Sequence, residues 1–116
     1  MVNFDENDQG RILIVDGDPL RGSGLASFLE EIGFIVIGPI STVVEAVTLA
    51  KQRHLDLAII DISSSRPGSS TDVGKELTRL CRVPCIRMDA RDYVPSRVLL
   101  AVEDALNRQR KLARAA

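Results

Sequence analysis

The sequence has 116 residues, the size of one ordinary domain. Hydrophobic residues make up 45% and aromatic residues only 3%, so we expect a core of Val, Ile, Leu and Ala. The formal net charge of −1 argues against nucleic acid or an anionic membrane as the main partner. No apolar run approaches the roughly 20 residues of a membrane span. The start of the chain is acidic and polar, unlike a signal peptide, so we expect a cytoplasmic location.

Strands and helices are predicted to alternate along the chain. Residues 1–10 are expected to form a disordered tail, and residues 11–112 a single domain. The predicted elements are strand Arg11–Val15, a helix ended by Gly33, strand Phe34–Ile37 closed by a Gly38-Pro39 turn, a helix over Val43–Arg53, strand Leu57–Asp61, a Ser-rich loop over Ile62–Thr71, a helix reaching about Arg82, strand Val83–Met88 and a last helix from about Ser96.

Capping motifs and apolar spacing define the helices. Asp18 followed by Pro19 is a standard helix start. Thr42 with Glu45 three residues later matches a capping box. Apolar residues recur at helical spacing in three segments, which predicts the inward faces Leu25, Phe28, Leu29 and Ile32; Val73, Leu77 and Leu80; and Val98, Val102, Ala105 and Leu106.

Three aspartates follow predicted strands. The alternation of strands and helices implies a parallel sheet with helices on its faces, and ligands gather at the carboxyl ends of such strands. Asp16, Asp61 and Asp89 would therefore emerge at one edge. Carboxylates that converge in this way can bind Mg²⁺ or supply an oxygen nucleophile beside it.

The two cysteines and the one histidine carry a weaker signal. Cys81 and Cys85 do not form a CxxC pair, and His54 has no cluster of metal-ligating residues near it in the sequence. We interpret the cysteines as small buried hydrophobic residues in a reducing compartment.

The chain resembles the receiver domain of two-component response regulators from Arg11 to about Arg110. ILIVDGDPL is similar to the first strand and acidic turn of that family, and VIGPISTVVEAVTLA to its second strand and helix. LDLAIIDI resembles the third strand, which ends in the phosphoacceptor aspartate, and VPCIRMDA resembles the fourth. The resemblance implies a flavodoxin-like, three-layer α/β fold.

The resemblance also implies roles for individual residues. Asp61 would accept a phosphoryl group from a histidine kinase or phosphotransfer protein, with Mg²⁺ bound. Asp16 and Asp61 would be metal ligands, together with the main-chain carbonyl of Ser63. A carboxylate can take phosphate as an acyl phosphate, and a divalent cation would neutralise the negative oxygens involved.

The acidic pair of the family is incomplete here. Its second acid is replaced by Gly17, which offers no side-chain ligand and would weaken Mg²⁺ binding. Asp18 is a further candidate ligand, but its pairing with Pro19 favours a role as the helix cap.

The end of the fourth strand departs further. The family places Ser or Thr where Asp89 stands, and an anion there would repel an acyl phosphate unless it turns away or joins the metal site. The family's lysine after strand five has no counterpart, since no lysine lies between Lys75 and Lys111. Arg87 or Arg91 could lend positive charge, although neither occupies the matching position.

The segment after the fourth strand is too short for the usual fold. Only six residues separate Asp89 from Ser96. A helix followed by a parallel strand needs about a dozen or more. The fourth helix of the family is therefore expected to be absent, with at most a stub of the fifth strand at Tyr93-Val94. The uncovered sheet edge or the last helix would then be covered by a second chain, in a homodimer.

Three functions remain open at this point. The first is a stand-alone receiver that signals through protein binding after phosphorylation of Asp61, with no catalytic residues of an enzyme. The second is a degenerate receiver that binds or dimerises without phosphorylation, which Gly17 and Asp89 favour. A remote third is a phosphohydrolase, because Asp16-Gly17-Asp18 also matches the DxD signature of haloacid-dehalogenase-type phosphatases.

Overall fold

The computed structural model describes residues 10–61 and 74–115 of the chain. The expected tail, apart from Gly10, and the loop that contains Ser63 lie outside these residues. The strands are β1 (Arg11–Val15), β2 (Ile35–Ile40), β3 (Leu57–Asp61) and β4 (Cys85–Met88). The helices are α1 (Pro19–Ile32), α2 (Val43–Gln52), α3 (helical over 74–76 and π-helical over Leu77–Cys81) and α4 (Pro95–Ala115).

The strands form one parallel sheet, as predicted, and their order in the sheet is β2-β1-β3-β4. Val15 of β1 pairs with Ile60 of β3. The next residue on each strand, Asp16 and Asp61, therefore lies at the same level of the carboxyl edge. Asp89 follows the end of β4 at that same edge.

Helices cover both faces of the sheet, which confirms the three-layer architecture. Successive residues of β1 and β3 point to opposite faces, so each strand contributes to two cores. The core beneath α1 and α4 contains Ile12, Ile14, Leu25, Leu29, Leu57, Ile59, Val98 and Val102. The core beneath α2 and α3 contains Leu13, Val15, Ala46, Ala58, Ile60 and Leu77.

The second strand is present as predicted, but its predicted bounds and the predicted Gly38-Pro39 turn were wrong. Phe34 lies between α1 and β2, and its N–H donates to the carbonyl of Leu29 at the end of α1. Beyond it, β2 continues through a cis Gly38-Pro39 bond to Ile40. Gly38 has a φ of +101°, and a Cβ there would lie 2.7 Å from the carbonyl oxygen of Ile14. This irregularity lies on an edge strand, where a sheet tolerates proline and a shift in register.

Both predicted helix starts are confirmed. The Asp18 carboxylate accepts hydrogen bonds from the N–H groups of Leu20 and Arg21. The Thr42 hydroxyl accepts from the Glu45 N–H at 3.1 Å and donates to the Glu45 carboxylate at 2.9 Å. Helix α2 ends one residue earlier than predicted.

The third helix and fourth strand differ from prediction because of the π-helical turn. Its wider hydrogen-bonded loop changes the spacing of the inward face. Leu77 is fully buried, whereas Leu80 is 46% exposed and not inward as predicted; Val73 lies outside the described residues. Arg82 then adopts a left-handed conformation with φ 55°, so β4 begins only at Cys85.

The short connection after β4 agrees with the predicted loss of a helix. Residues Ala90–Asp92 form a single 3-10 turn, and α4 begins at Pro95. Tyr93 and Val94 are not part of a strand, so the sheet formed by the described residues has four strands, with β4 at its edge. In the described part of the chain no helix combines the length and apolar character of a membrane span. Cys81 and Cys85 are half-buried free thiols.

Candidate functional site: a buried acid pair bridged by arginine

Asp16 and Asp61 form a buried pair at the carboxyl edge of β1 and β3. They are 3% and 1% exposed, respectively, while the other described carboxylates are not buried to this degree. The main-chain N–H of Asp16 donates to the carbonyl of Ile40 at 2.8 Å, which ties the end of β1 to the extended end of β2. The structure thus brings together the two acids for which the resemblance to receiver domains implies the phosphoacceptor and metal-ligand roles.

The guanidinium of Arg21 joins the two carboxylates. Its Nε donates to Oδ2 of Asp16 at 3.1 Å, and its Nη2 donates to Oδ1 of the same residue at 2.8 Å. The same Nη2 donates to Oδ2 of Asp61 at 2.6 Å. The hydrogen bond to Asp16 contributes most to raising the pKa of Arg21 above its ordinary value, and the negative charges of Asp16 and Asp61 raise it further. One permanent cation therefore serves two buried acids.

The start of α1 places Arg21 over the acid pair. Asp18 caps the helix, so Arg21 lies in its first turn, directly beyond the end of β1. Gly22 lets this turn approach the sheet closely. A Cβ at that position would lie 2.6 Å from Cβ of Pro39 and 3.3 Å from Cβ of Asp16.

Both oxygens of Asp16 are fully engaged. Besides the two bonds from Arg21, Oδ1 accepts from the N–H of Asp18 at 2.8 Å, and Oδ2 accepts from the hydroxyl of Tyr93 at 3.4 Å. Burial and the nearby charges of Asp16 and Asp61 raise the pKa of Tyr93 above its ordinary value. Four donors thus surround a carboxylate that has about four lone-pair positions.

The described residues do not fit a divalent cation in this arrangement. Asp16 has no free oxygen position, and Asp18 uses its carboxylate to cap α1. Gly17 offers no side chain, and Ser63 lies outside the described residues. Within residues 10–61 and 74–115 no three His, Cys, Asp or Glu side chains are grouped to hold a metal ion. Among the described residues, Arg21 supplies positive charge directly beside both acids.

Asp89 makes a separate ion pair. Its Oδ1 accepts from Nε of Arg91 at 3.2 Å, and its Oδ2 accepts from Nη2 at 3.0 Å. These hydrogen bonds hold the pKa of Asp89 below its ordinary value. Arg87 lies beside Gly74, where a Cβ would be 3.3 Å from its Nη2. Of the two arginines that could supply positive charge near the end of β4, Arg91 therefore pairs with Asp89 and Arg87 lies against α3.

Sequence reasoning missed Arg21 and Tyr93. Arg21 is five residues after Asp16 and three after the cap Asp18, a position that the predicted helix start places above the strand end. The absence of a lysine between Lys75 and Lys111 was a further hint that another cation was needed. Tyr93 carries no local signal, because its contact with Asp16 spans 77 positions of sequence.

The known proteins that this chain resembles are found among solved structures. No family model matches the chain, and no curated protein is significantly similar to it. The response regulator PhyR from Brucella abortus has a TM-score of 0.79 and 20% identity, with 94% of this chain and 53% of that chain covered. This chain thus spans about half of that protein.

In two further solved structures, the match with this chain covers a larger share of the other protein. The receiver domain of a modulated diguanylate cyclase from Desulfovibrio desulfuricans G20 has a TM-score of 0.76 and 22% identity, with 89% of this chain and 98% of that chain covered. The response regulator MaeR, solved bound to beryllium trifluoride, has a TM-score of 0.60 and 31% identity, with 71% of this chain and 68% of that chain covered. The chain belongs to the receiver-domain family of response regulators.

Proposed function

We propose that the chain is a cytoplasmic receiver protein that accepts a phosphoryl group on Asp61 and signals by binding another protein. The observation that carries the proposal is the juxtaposition of Asp61 with Asp16 and Arg21 at the carboxyl edge of the sheet. Asp61 is buried beside a second acid and a cation, whereas an aspartate that only ends a strand would be exposed to solvent.

The proposed chemistry uses groups of this chain. An oxygen of Asp61 attacks the phosphorus of a donor such as acetyl phosphate and forms a new P–O bond. The bond from phosphorus to the acetate oxygen breaks, and acetate leaves with the electron pair. The product is an acyl phosphate on Asp61. The planar guanidinium of Arg21 matches phosphate oxygens in two-pronged geometry, so it can follow the charge from carboxylate to phosphoryl group.

Intact-mass measurement tests the proposal directly. The protein is incubated with acetyl phosphate, with and without MgCl₂, beside Asp61→Asn. Asp104→Asn is the matched control, because Asp104 is an exposed acid on α4 whose side chain is 63% exposed. We expect one phosphoryl adduct on the parent and on the Asp104 variant, and none on the Asp61 variant. An unmodified parent, under conditions that label another receiver, would overturn the proposal.

A receiver that works without phosphorylation is the second candidate. It is favoured by Gly17 and by the carboxylate of Asp89 at the end of β4, whose side chain is 23% exposed. An unmodified parent in the mass experiment, together with partner binding that Asp61→Asn leaves unchanged, would support this candidate.

The proposed output is protein binding. The PhyR protein of Bartonella quintana has been solved in a complex with the anti-sigma factor NepR, with 25% identity to this chain and a TM-score of 0.58. That assembly supports a protein as the class of partner here. A histidine kinase or phosphotransfer protein is proposed as the phosphoryl donor.

We also propose a homodimer, formed through β4 or α4. Strand β4 is an edge, and Ile86 on it packs beside Ala101 and Ala105 of α4 in an open groove. Sedimentation at tens of micromolar protein should give the mass of a dimer, and Ile86→Arg should weaken it. Val44→Arg, at a residue of α2 that is 75% exposed, is the matched control. A monomeric parent contradicts the proposal.

A further inference from the structure

We infer that Arg21 is the resident cation of the acid pair and stands in for a divalent metal ion. The inference rests on the proposed role of Asp61, since it assigns the charge that would accompany phosphorylation at that site. Three N–H···O contacts of 2.6–3.1 Å join one guanidinium to both acids, in the space that a shared cation would take.

The hydrogen bonding of Asp16 supports this inference. Both of its oxygens are occupied by Arg21, the Asp18 N–H and the Tyr93 hydroxyl. A metal ion would have to displace at least one of these donors. Arg21 is attached to the chain, so it competes at a high effective concentration and loses no translational freedom when it binds.

The charges lead to the same conclusion. The side chains of Asp16 and Asp61 are 0% and 1% exposed, so they need a partner of opposite sign within the protein. Arg21 supplies one positive charge that persists throughout the physiological pH range. Gly17 removes the side chain with which the family would add a further acidic ligand.

Thermal unfolding with and without magnesium tests the inference on the intact chain. We expect MgCl₂ at about 10 mM to shift the melting temperature of the parent by less than about 1 °C, whereas a site with a Kd of about 1 mM would shift it by about 5 °C. A shift of several degrees in the parent that is lost in Asp16→Asn would overturn the inference.

A second pair of variants builds the metal site. A Cβ at Gly17 would meet nothing within 4 Å, so Gly17→Asp can add a carboxylate there with no clash at its Cβ. Gly17→Asp alone should remain insensitive to magnesium, because Arg21 is still present. Gly17→Asp combined with Arg21→Ala should gain a magnesium-dependent shift of about 5 °C. If the double variant unfolds in EDTA, recovery of its folded circular-dichroism spectrum with MgCl₂ supports the inference equally. A double variant that magnesium neither stabilises nor refolds would overturn it.

The experiments distinguish failure of this inference about Arg21 from failure of the proposed phosphoacceptor role of Asp61. Failure to form an adduct in any buffer contradicts the role of Asp61 and leaves the magnesium titration unaffected. An adduct that forms on the parent only with magnesium contradicts the role of Arg21 while it supports that of Asp61. An adduct that forms equally in EDTA supports both.

Discussion

The bridge between Arg21 and Asp61 should be energetically coupled, which a double-mutant cycle can measure. The two changes are Arg21→Met, which keeps the apolar stem of the side chain, and Asp61→Asn, which removes a charge at nearly constant size. The cycle isolates the pairwise interaction from what each residue contributes elsewhere.

The expected magnitude follows from burial. Removal of one partner of a buried ion pair costs about 3–5 kcal/mol, because the other charge is left without compensation. Arg21 is 31% exposed, so water screens part of this interaction. We therefore expect Arg21→Met to lower the free energy of unfolding by about 2–3 kcal/mol, with a coupling to Asp61→Asn of about 1–3 kcal/mol. Domains of this size are stable by about 5–15 kcal/mol, so the variants should still fold.

The assay is urea unfolding followed by far-ultraviolet circular dichroism. The matched control is the exposed pair of Arg97 and Asp92, whose N···O distance is 2.9 Å and whose side chains are 66% and 47% exposed. The control cycle should give a coupling of about 0.2–1 kcal/mol. A coupling between Arg21 and Asp61 no larger than that of the control would refute the reasoning, since burial would then add nothing to the bridge.

Three further predictions concern the surroundings of the site. Tyr93 is the only tyrosine and the chain has no tryptophan, so ultraviolet absorbance should report the ionisation of Tyr93, which we expect above pH 10. Because the tyrosine of the unfolded chain ionises at a lower pH than that of the folded chain, the stability of the protein should fall only as the pH rises beyond about 10. A midpoint at or below that value contradicts the described contacts. Gly22→Ala should cost about 1–3 kcal/mol through its clash with Pro39, whereas Gly24→Ala, with open space around it, should gain about 0.5–1 kcal/mol; equal effects in urea unfolding would count against this packing. Asp18→Ala should lose about 1 kcal/mol of stability and Asp18→Asn much less, as expected of a helix cap, and a reversed order would disprove that role.

Local sequence signals were sufficient where structure depends on neighbours along the chain. The apolar runs of β1 and β3 predicted both strands at their observed limits, because a central parallel strand is buried on both faces. Asp18 and Thr42 predicted the helix starts, since a cap binds main-chain groups only two or three residues away. The six-residue gap after Asp89 predicted the missing helix from chain length alone.

Predictions failed where distant packing overrides the local preference. Gly38-Pro39 is typical of a turn, but the carbonyl of Ile14 on the neighbouring strand lies against Gly38 and the strand continues. Leu80 follows the spacing of an inward α-helical face, yet the π-helical turn directs it to solvent. Neither the register of two strands nor the pitch of one turn is encoded in a single short segment.

The sequence by itself determined the order of the elements, the parallel sheet and the meeting of Asp16 and Asp61 at one edge, because these follow from hydrophobic pattern and the geometry of parallel strands. Only the tertiary structure decided which cation serves them. The guanidinium of Arg21 reaches both acids because Val15 and Ile60 are in register and Gly22 lets α1 lie close to the sheet, and Tyr93 completes the site from a distant part of the chain. Those contacts depend on distances in space, which no motif or spacing in the sequence specifies.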